Sequence, residues 1–146
     1  MKKKLLLMLT LCLLAQWSVA QAPKWVDKAK RAVFSVVTYD QNDKILNTGN
    51  GFFVTEDGIA LSDYTLFKGA QRAVVMSSDG AQMPVEAIMG ADDMYDVVKF
   101  RVGIPGKKVT ALTLAAVAPA VGADVFFLAF PTPEGPFFYY RESKGG

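Results

Sequence analysis

Short apolar segments separated by turn signals run through most of the chain. Between positions 32 and 130, runs of β-branched and aromatic residues alternate with clusters of Gly, Asp, Asn and Ser at intervals of about ten residues. This spacing is too short for the crossover connections that parallel strands require. The pattern therefore predicts an all-β fold, either a barrel or a sandwich.

The individual elements follow from the same pattern. Pro23 and the apolar spacing after it predict a short helix within residues 22–30. Strands are predicted over residues 32–39, 52–54, 59–61, 72–76, 84–89, 97–102, 124–130 and 137–140. Residues 63–70 break the strand pattern and are predicted as a loop or a single helical turn, and residues 90–93 are predicted as a turn.

The N-terminus has the three parts of a secretory signal. Lysines at positions 2–4 precede an apolar run over residues 5–14, and the small residues Ser18 and Ala20 follow it. The run is shorter than the roughly 20 residues that a membrane-spanning helix needs. We therefore predict a signal peptide at residues 1–20, cleaved near Ala20, and a periplasmic or secreted product without stable membrane insertion. The alternative is an uncleaved N-terminal anchor.

The formal net charge of +2 belongs to this signal. Residues 1–20 contain three lysines and no acidic residue, so 13 basic and 14 acidic side chains remain after cleavage. A nearly neutral chain has no basic stripe for phosphates, which argues against a nucleic-acid partner. Cys12 is the one cysteine and also lies in the signal, so neither a disulfide framework nor a cysteine zinc site is expected.

The sequence contains no histidine. A Ser-His-Asp triad, a Cys-His pair or a histidine metal site therefore cannot be built from these residues. Asp92, Asp93 and Asp96 lie close together in sequence, but they lack the ligand order and the closing glutamate of a calcium loop. We expect neither a metal nor a cofactor.

Residues 49–70 read GNGFFVTEDGIALSDYTLFKGA. This segment resembles the stretch around the catalytic histidine in trypsin-like serine proteases of the Deg, or high-temperature-requirement (HtrA), family. Gly51 and Phe52 fall on the family's glycine-rich strand, and Asp57 falls on its Asp-Gly turn. Thr65 falls where the family has its histidine.

Residues 90–101 resemble the family segment whose aspartate orients the histidine, and Asp96 occupies that position. Residues 121–131 resemble the start of the family's second barrel. The resemblance implies the first six-stranded barrel of a trypsin-like fold and the beginning of a second. It implies a linker or helix at 21–31, a first barrel at 32–118 and the start of a second at 119–146, apparently truncated there.

The resemblance implies serine endopeptidase activity in protein quality control, but two departures put that activity in doubt. Thr65 has no imidazole to accept the serine proton, although the aspartate position is retained as Asp96. The family's nucleophile lies in a Gly-x-Ser-Gly-Gly loop. Ser143 precedes two glycines at 145 and 146 but lacks the preceding glycine, so we assign no nucleophile. We expect an inactive protease homologue that binds peptides or unfolded proteins.

Other interpretations remain open. Without a histidine, Asp96 is better explained as a structural residue that caps a turn or bonds to Thr65 and Tyr64. The protein can be the N-terminal part of an active hydrolase whose base comes from elsewhere, or a β-barrel interaction module without protease ancestry. Proximity of Thr65 and Asp96 in the fold would favour the protease interpretation, and a large separation would favour the interaction module.

Overall fold

The computed structural model describes residues 2–15, 23–106, 108–129 and 138–143. Two helices, α1 (Lys2–Ala15) and α2 (Lys24–Lys30), precede the strands, and a 3-10 turn spans Tyr64–Leu66. The strands in the described residues are β1 (Val33–Tyr39), β2 (Ile45–Phe53), β3 (Ile59–Asp63), β4 (Arg72–Met76), β5 (Gln82–Asp92), β6 (Val97–Val102), β7 (Asp124–Ala129) and β8 (Phe138–Ser143).

The first six strands form a closed antiparallel barrel in the order β1-β2-β3-β6-β5-β4. The barrel closes because β4 pairs with β1, from Ser35↔Met76 to Tyr39↔Arg72. This arrangement confirms the predicted all-β class and the predicted six-stranded barrel. A closed barrel pairs every strand on both sides and leaves no long open sheet edge.

Side chains at alternate positions of the strands point inward and fill the barrel interior. Phe34 and Val36 of β1 point inward, and both are fully buried. The ring centroids of Phe34 and Phe53 lie 4.9 Å apart, and those of Phe34 and Phe100 lie 6.2 Å apart, in edge-to-face contacts. These three rings form the centre of the core, which is completed by Ala60, Val75, Met83, Val98 and Val102.

Two glycines of β2 allow the core and the 3-10 turn to approach the strand closely. A Cβ atom at Gly51 would lie 2.5 Å from Cε2 of Phe34, and one at Gly49 would collide with the side chain of Leu66. Any larger residue here would force the ring of Phe34 or the 3-10 turn outward. The glycine-rich segment of the sequence therefore has a packing function.

Two strands differ most from their predicted extents. β2 begins at Ile45, well before the predicted start at residue 52. The predicted turn at residues 90–93 is wrong, because β5 continues to Asp92 and the turn follows at residues 93–96. A register irregularity between Ile88 and Gly90 absorbs the glycine within the strand, as β-bulges do.

β7 and β8 pair with each other as a separate two-stranded sheet. The ring of Trp25 in α2 contacts the ring of Phe126 in β7 edge-on, with centroids 4.9 Å apart. Phe130 and Phe137, which were predicted as strand residues, lie outside the described residues, as does the predicted cleavage position after Ala20. None of the helices described is both long and apolar enough to span a bilayer.

Candidate functional site

The pairing of β3 with β6 brings the two candidate residues together. Asp63 at the end of β3 lies opposite Val97 at the start of β6. The segment that follows Asp63 and the segment that precedes Val97 therefore meet at one end of the barrel. Thr65 lies in the first segment and Asp96 in the second.

Asp96 accepts two hydrogen bonds from Thr65 on the same carboxylate oxygen. The Thr65 N–H donates to Oδ1 at 2.6 Å, and the Thr65 hydroxyl donates to it at 2.8 Å. The backbone N–H of Tyr64 donates to the Asp96 carbonyl at 3.2 Å. Because Asp63 provides no side-chain cap, Asp96 supplies the acceptor that the start of the 3-10 turn needs.

The backbone of Asp96 has a φ of +54°, in the left-handed region. A single non-glycine residue in this region costs about 1–2 kcal/mol, although aspartate tolerates it better than most residues. The conformation ends the turn of residues 93–96 and lets Asp96 present both its carbonyl and its carboxylate to the 3-10 turn. The hydrogen bonds from Tyr64 and Thr65 offset the backbone cost.

The same contacts determine the ionisation of Asp96. The Thr65 hydroxyl lowers the pKa of the carboxyl below its ordinary value of 3.8, and the Thr65 N–H lowers it further. Burial opposes these two hydrogen bonds, and the charge of Lys68 adds a smaller decrease. Lys68 itself forms an ion pair with Asp93, which raises the pKa of the ammonium group. Asp96 is therefore ionised at neutral pH, and Lys68 is protonated and cannot act as a base.

A buried threonine holds the 3-10 turn against the barrel, and sequence reasoning missed it. The Thr38 hydroxyl donates to the carbonyl of Leu66 at 2.8 Å and accepts from the N–H of Asn47 at 3.2 Å. The Asn47 amide also donates to the Leu66 carbonyl, at 3.3 Å. The sequence could have indicated this role, because Thr38 follows Phe34 and Val36 at alternate positions and so lies on the inward face of β1.

A groove of about 400 Å³ opens beside this turn. β4 and β5 pair only between Val74↔Pro84 and Met76↔Gln82, so the two strands diverge toward the end of the barrel that carries Thr65. The groove lies between them. Its lining residues are Tyr64, Phe67, Ala70, Gln71, Arg72, Ala73, Val85, Glu86, Ala87, Ile88 and Val98.

The remaining candidates have simple structural roles. Asp92 accepts a hydrogen bond from the N–H of Tyr95 at 2.9 Å, and Asp93 pairs with Lys68, so the two carboxylates stabilise the turn. In the part of the chain that the structure describes, no group of three or more His, Cys, Asp or Glu residues could hold a metal ion. Ser143 is the last residue of β8.

One comparison with known proteins identifies the family. A family model described as trypsin-like peptidase domain matches residues 49–144, about two thirds of the chain, and the match includes both Thr65 and Asp96. No curated protein matches the chain. The closed six-stranded barrel is the fold expected for a member of this family. The chain therefore belongs to the trypsin-like peptidase domain family.

Proposed function

We propose that this chain is an exported serine-protease homologue of the Deg/HtrA type that binds peptides or unfolded proteins and does not cleave them. The observation that carries the proposal is the hydrogen bond from the Thr65 hydroxyl to Asp96. In the resemblance to the Deg family, these two positions correspond to the catalytic histidine and its orienting aspartate, which supports the proposal. A threonine hydroxyl therefore contacts the aspartate in place of an imidazole.

This exchange removes the proton acceptor of the triad. In a Ser-His-Asp triad the imidazole takes the serine proton, and the aspartate orients and stabilises the imidazolium. The Thr65 hydroxyl donates a hydrogen bond to Asp96 and has no basic nitrogen that could accept a proton. Lys68, the nearest cation, is protonated and paired with Asp93. The 146 residues contain no histidine that could move into the site.

Peptide binding is supported by the surface next to the 3-10 turn. The groove between β4 and β5 has an apolar floor that includes Phe67 and Val98. The neighbouring hairpin exposes Ile88, Met94 and Tyr95, whose side chains are 53%, 86% and 74% exposed. Apolar side chains concentrated around a groove are typical of surfaces that bind other proteins. Export is supported by the signal pattern of the first 20 residues.

The proposal is tested by measuring hydrolysis and binding separately. Purified full chain is incubated with fluorescein-labelled casein, with an active trypsin-like protease as the positive control. We expect no turnover above background. In parallel, binding of a carboxymethylated, permanently unfolded protein is measured by fluorescence anisotropy, and we expect saturable binding that Val85→Asp in the groove weakens. Lys44→Asp, on the exposed β1–β2 turn, is the matched control.

A second candidate is an active hydrolase with a base supplied from elsewhere. Turnover that is unchanged in Asp96→Ala would favour it, and this result contradicts the proposed lack of activity. Failure of the unfolded protein to bind, or equal binding by Val85→Asp and the wild type, contradicts the proposed peptide groove. The family membership removes the alternative of a barrel without protease ancestry.

A further inference from the structure

A second cavity lies at the opposite end of the barrel from Asp96. β6 starts beside Asp96 and ends at Val102, and Pro105, Gly106 and residues 108–110 after it form one wall of this cavity. The turn between β4 and β5 forms another wall, and Arg31, directly after α2, lies at its rim. The volume is about 330 Å³. We refer to this site as the Arg31 cavity.

The floor of the Arg31 cavity is apolar and belongs to the barrel core. Phe53 and Met83 line it and are only 2% and 3% exposed. Val109 also lines it and packs against the same core. A ligand group that rests on this floor must be apolar, because a polar group there would lose its hydrogen bonds to water.

The rim of the cavity carries an available positive charge. The side chain of Arg31 is exposed and forms no hydrogen bond or ion pair with any other residue in the described ranges 2–15, 23–106, 108–129 and 138–143. Lys108 is at the rim too, 3.4 Å from Glu56. The hydroxyl residues Ser77, Ser78 and Thr110 also line the cavity.

One carboxylate, that of Asp79, also lines the cavity, but it is engaged within its own turn. It accepts hydrogen bonds from the Ser77 hydroxyl and, at 3.1 Å, from the Ala81 N–H. No ion pair joins Asp79 to Arg31. The guanidinium of Arg31 therefore remains available to a ligand anion, and guanidinium and carboxylate groups form strong, often bidentate, hydrogen bonds.

Backbone hydrogen bonds hold the walls in place. The Val109 N–H donates to the Glu56 carbonyl at 2.8 Å, and the Leu112 N–H donates to the Phe53 carbonyl at 2.8 Å. Next to Arg31, the Ala32 carbonyl accepts from the Phe53 N–H at 2.9 Å. A site whose walls are already fixed loses little conformational freedom when a ligand binds.

We propose that the Arg31 cavity binds a small carboxylate that carries a short apolar tail. The carboxylate pairs with Arg31 at the rim, and the tail lies on Phe53, Met83 and Val109. The volume is at the small end of the range of about 300–1,000 Å³ for ligand sites, which fits one apolar tail and not a folded partner. Two sources provide this chemistry: a free medium-chain carboxylic acid, and the last residue of a peptide.

The test is a titration of the ¹⁵N-labelled full chain, followed by amide chemical shifts. Sodium octanoate and N-acetylphenylalanine represent the two sources. Octanamide lacks the charge and acetate lacks the tail, so both serve as ligand controls. We expect octanoate or N-acetylphenylalanine to shift amides in residues 77–81 and 108–110 and to leave Thr65 and Asp96 unchanged. Arg31→Gln should weaken binding about tenfold, because it removes a charge-assisted hydrogen bond.

Two further variants make the result decisive. Lys44→Gln removes the same charge at the other end of the barrel and should bind like the wild type. Thr110→Trp fills the cavity and should abolish binding while the spectrum stays dispersed. The carboxylate that binds more tightly identifies the source of the ligand: octanoate a free carboxylic acid, N-acetylphenylalanine the last residue of a peptide. The proposal is overturned if neither carboxylate shifts the cavity amides up to about 10 mM, if octanamide binds as well as octanoate, or if Lys44→Gln weakens binding as much as Arg31→Gln.

Discussion

The hydroxyl of Thr38 donates a hydrogen bond of 2.8 Å to the carbonyl of Leu66, the last residue of the 3-10 turn. Thr38 is fully buried in β1, so this bond connects the wall of the barrel to the turn that carries Thr65. Thr38 and Leu66 are 28 residues apart in the sequence, so the position of Thr65 next to Asp96 depends on a long-range contact.

Thr38→Val tests this connection. The substitution keeps the shape of the side chain but leaves the Leu66 carbonyl and the Asn47 N–H without their hydroxyl partner. We expect a loss of about 1–3 kcal/mol in the free energy of unfolding, measured by urea denaturation. Thr48→Val, at an exposed position of β2, is the control and should change stability by less than about 0.5 kcal/mol. Equal stabilities of the two variants would contradict the assigned role.

Asp96 should make stability depend on pH in the acid range. Its pKa is lowered in the folded protein, so the unfolded chain, with an ordinary value of 3.8, binds the proton more readily. The contribution to stability is therefore complete above the unfolded pKa and is lost as the pH falls through the folded pKa. Asp96→Asn should reduce the pH dependence of the unfolding free energy between about pH 2 and pH 5, and Asp57 and Asp79 should still contribute the remainder.

A carboxyl titration of Asp96 by NMR provides a direct check of the same point. The wild type should titrate below 3.8, and Thr65→Val should bring the value closer to 3.8, since the hydroxyl is the largest cause of the shift. Asp57 and Asp79, whose pKa values are lowered by their own neighbours, should be unaffected by Thr65→Val and serve as internal controls. An Asp96 pKa that does not move would show that the hydroxyl bond is absent in solution.

Gly51→Ala should destabilise the barrel. The added Cβ would lie 2.5 Å from Cε2 of Phe34 and 2.8 Å from the carbonyl oxygen of Leu61, so the core has to rearrange. Such overpacking costs about 1–3 kcal/mol, measurable by thermal or urea denaturation. Gly90→Ala is the matched control, because a Cβ at Gly90 meets nothing within 4 Å. A destabilisation by Gly90→Ala of the same size would indicate a general glycine effect instead.

The contact between Trp25 and Phe126 should be visible in fluorescence. Trp25 is the only tryptophan after residue 20, and it is 48% exposed despite the ring contact. Phe126→Ala should make Trp25 more accessible to acrylamide, and a double-mutant cycle with Trp25→Ala should give a coupling of about 0.5–1.5 kcal/mol. Phe127→Ala, at the neighbouring exposed position, should leave the quenching unchanged. Unchanged quenching in Phe126→Ala would mean that α2 and β7 do not touch in solution.

Strands with uniform composition were predicted well. β4 and β6 begin and end where the sequence indicated, at Arg72–Met76 and Val97–Val102, because each is a short run of mostly apolar residues between clear turns. The first half of β2 was not predicted as strand, because polar residues and glycine interrupt its run of apolar residues. The end of β5 was missed because Gly90 normally indicates a turn and here lies within an irregular stretch of strand.

In the candidate site, too, the residues in clear sequence motifs were predicted and the others were missed. Thr65 and Asp96 were paired through ordered motifs, and the register of β3 with β6 brings them into contact. The bonds of Thr38 and Asn47 to Leu66 and the Lys68–Asp93 pair join segments far apart in the sequence, and local patterns in a single sequence do not encode these contacts. The left-handed backbone of Asp96 was not predicted, because aspartate adopts this region only occasionally and the sequence alone does not show at which aspartate it occurs.

The two glycines of β2 have a consequence for how such a protein evolves. Gly49 and Gly51 leave space for the side chains of Leu66 and Phe34. Selection for a folded barrel alone is enough to preserve them, whether or not the protein hydrolyses anything. A protein of this family can therefore lose its catalytic base and still keep the glycine-rich segment by which the family is recognised.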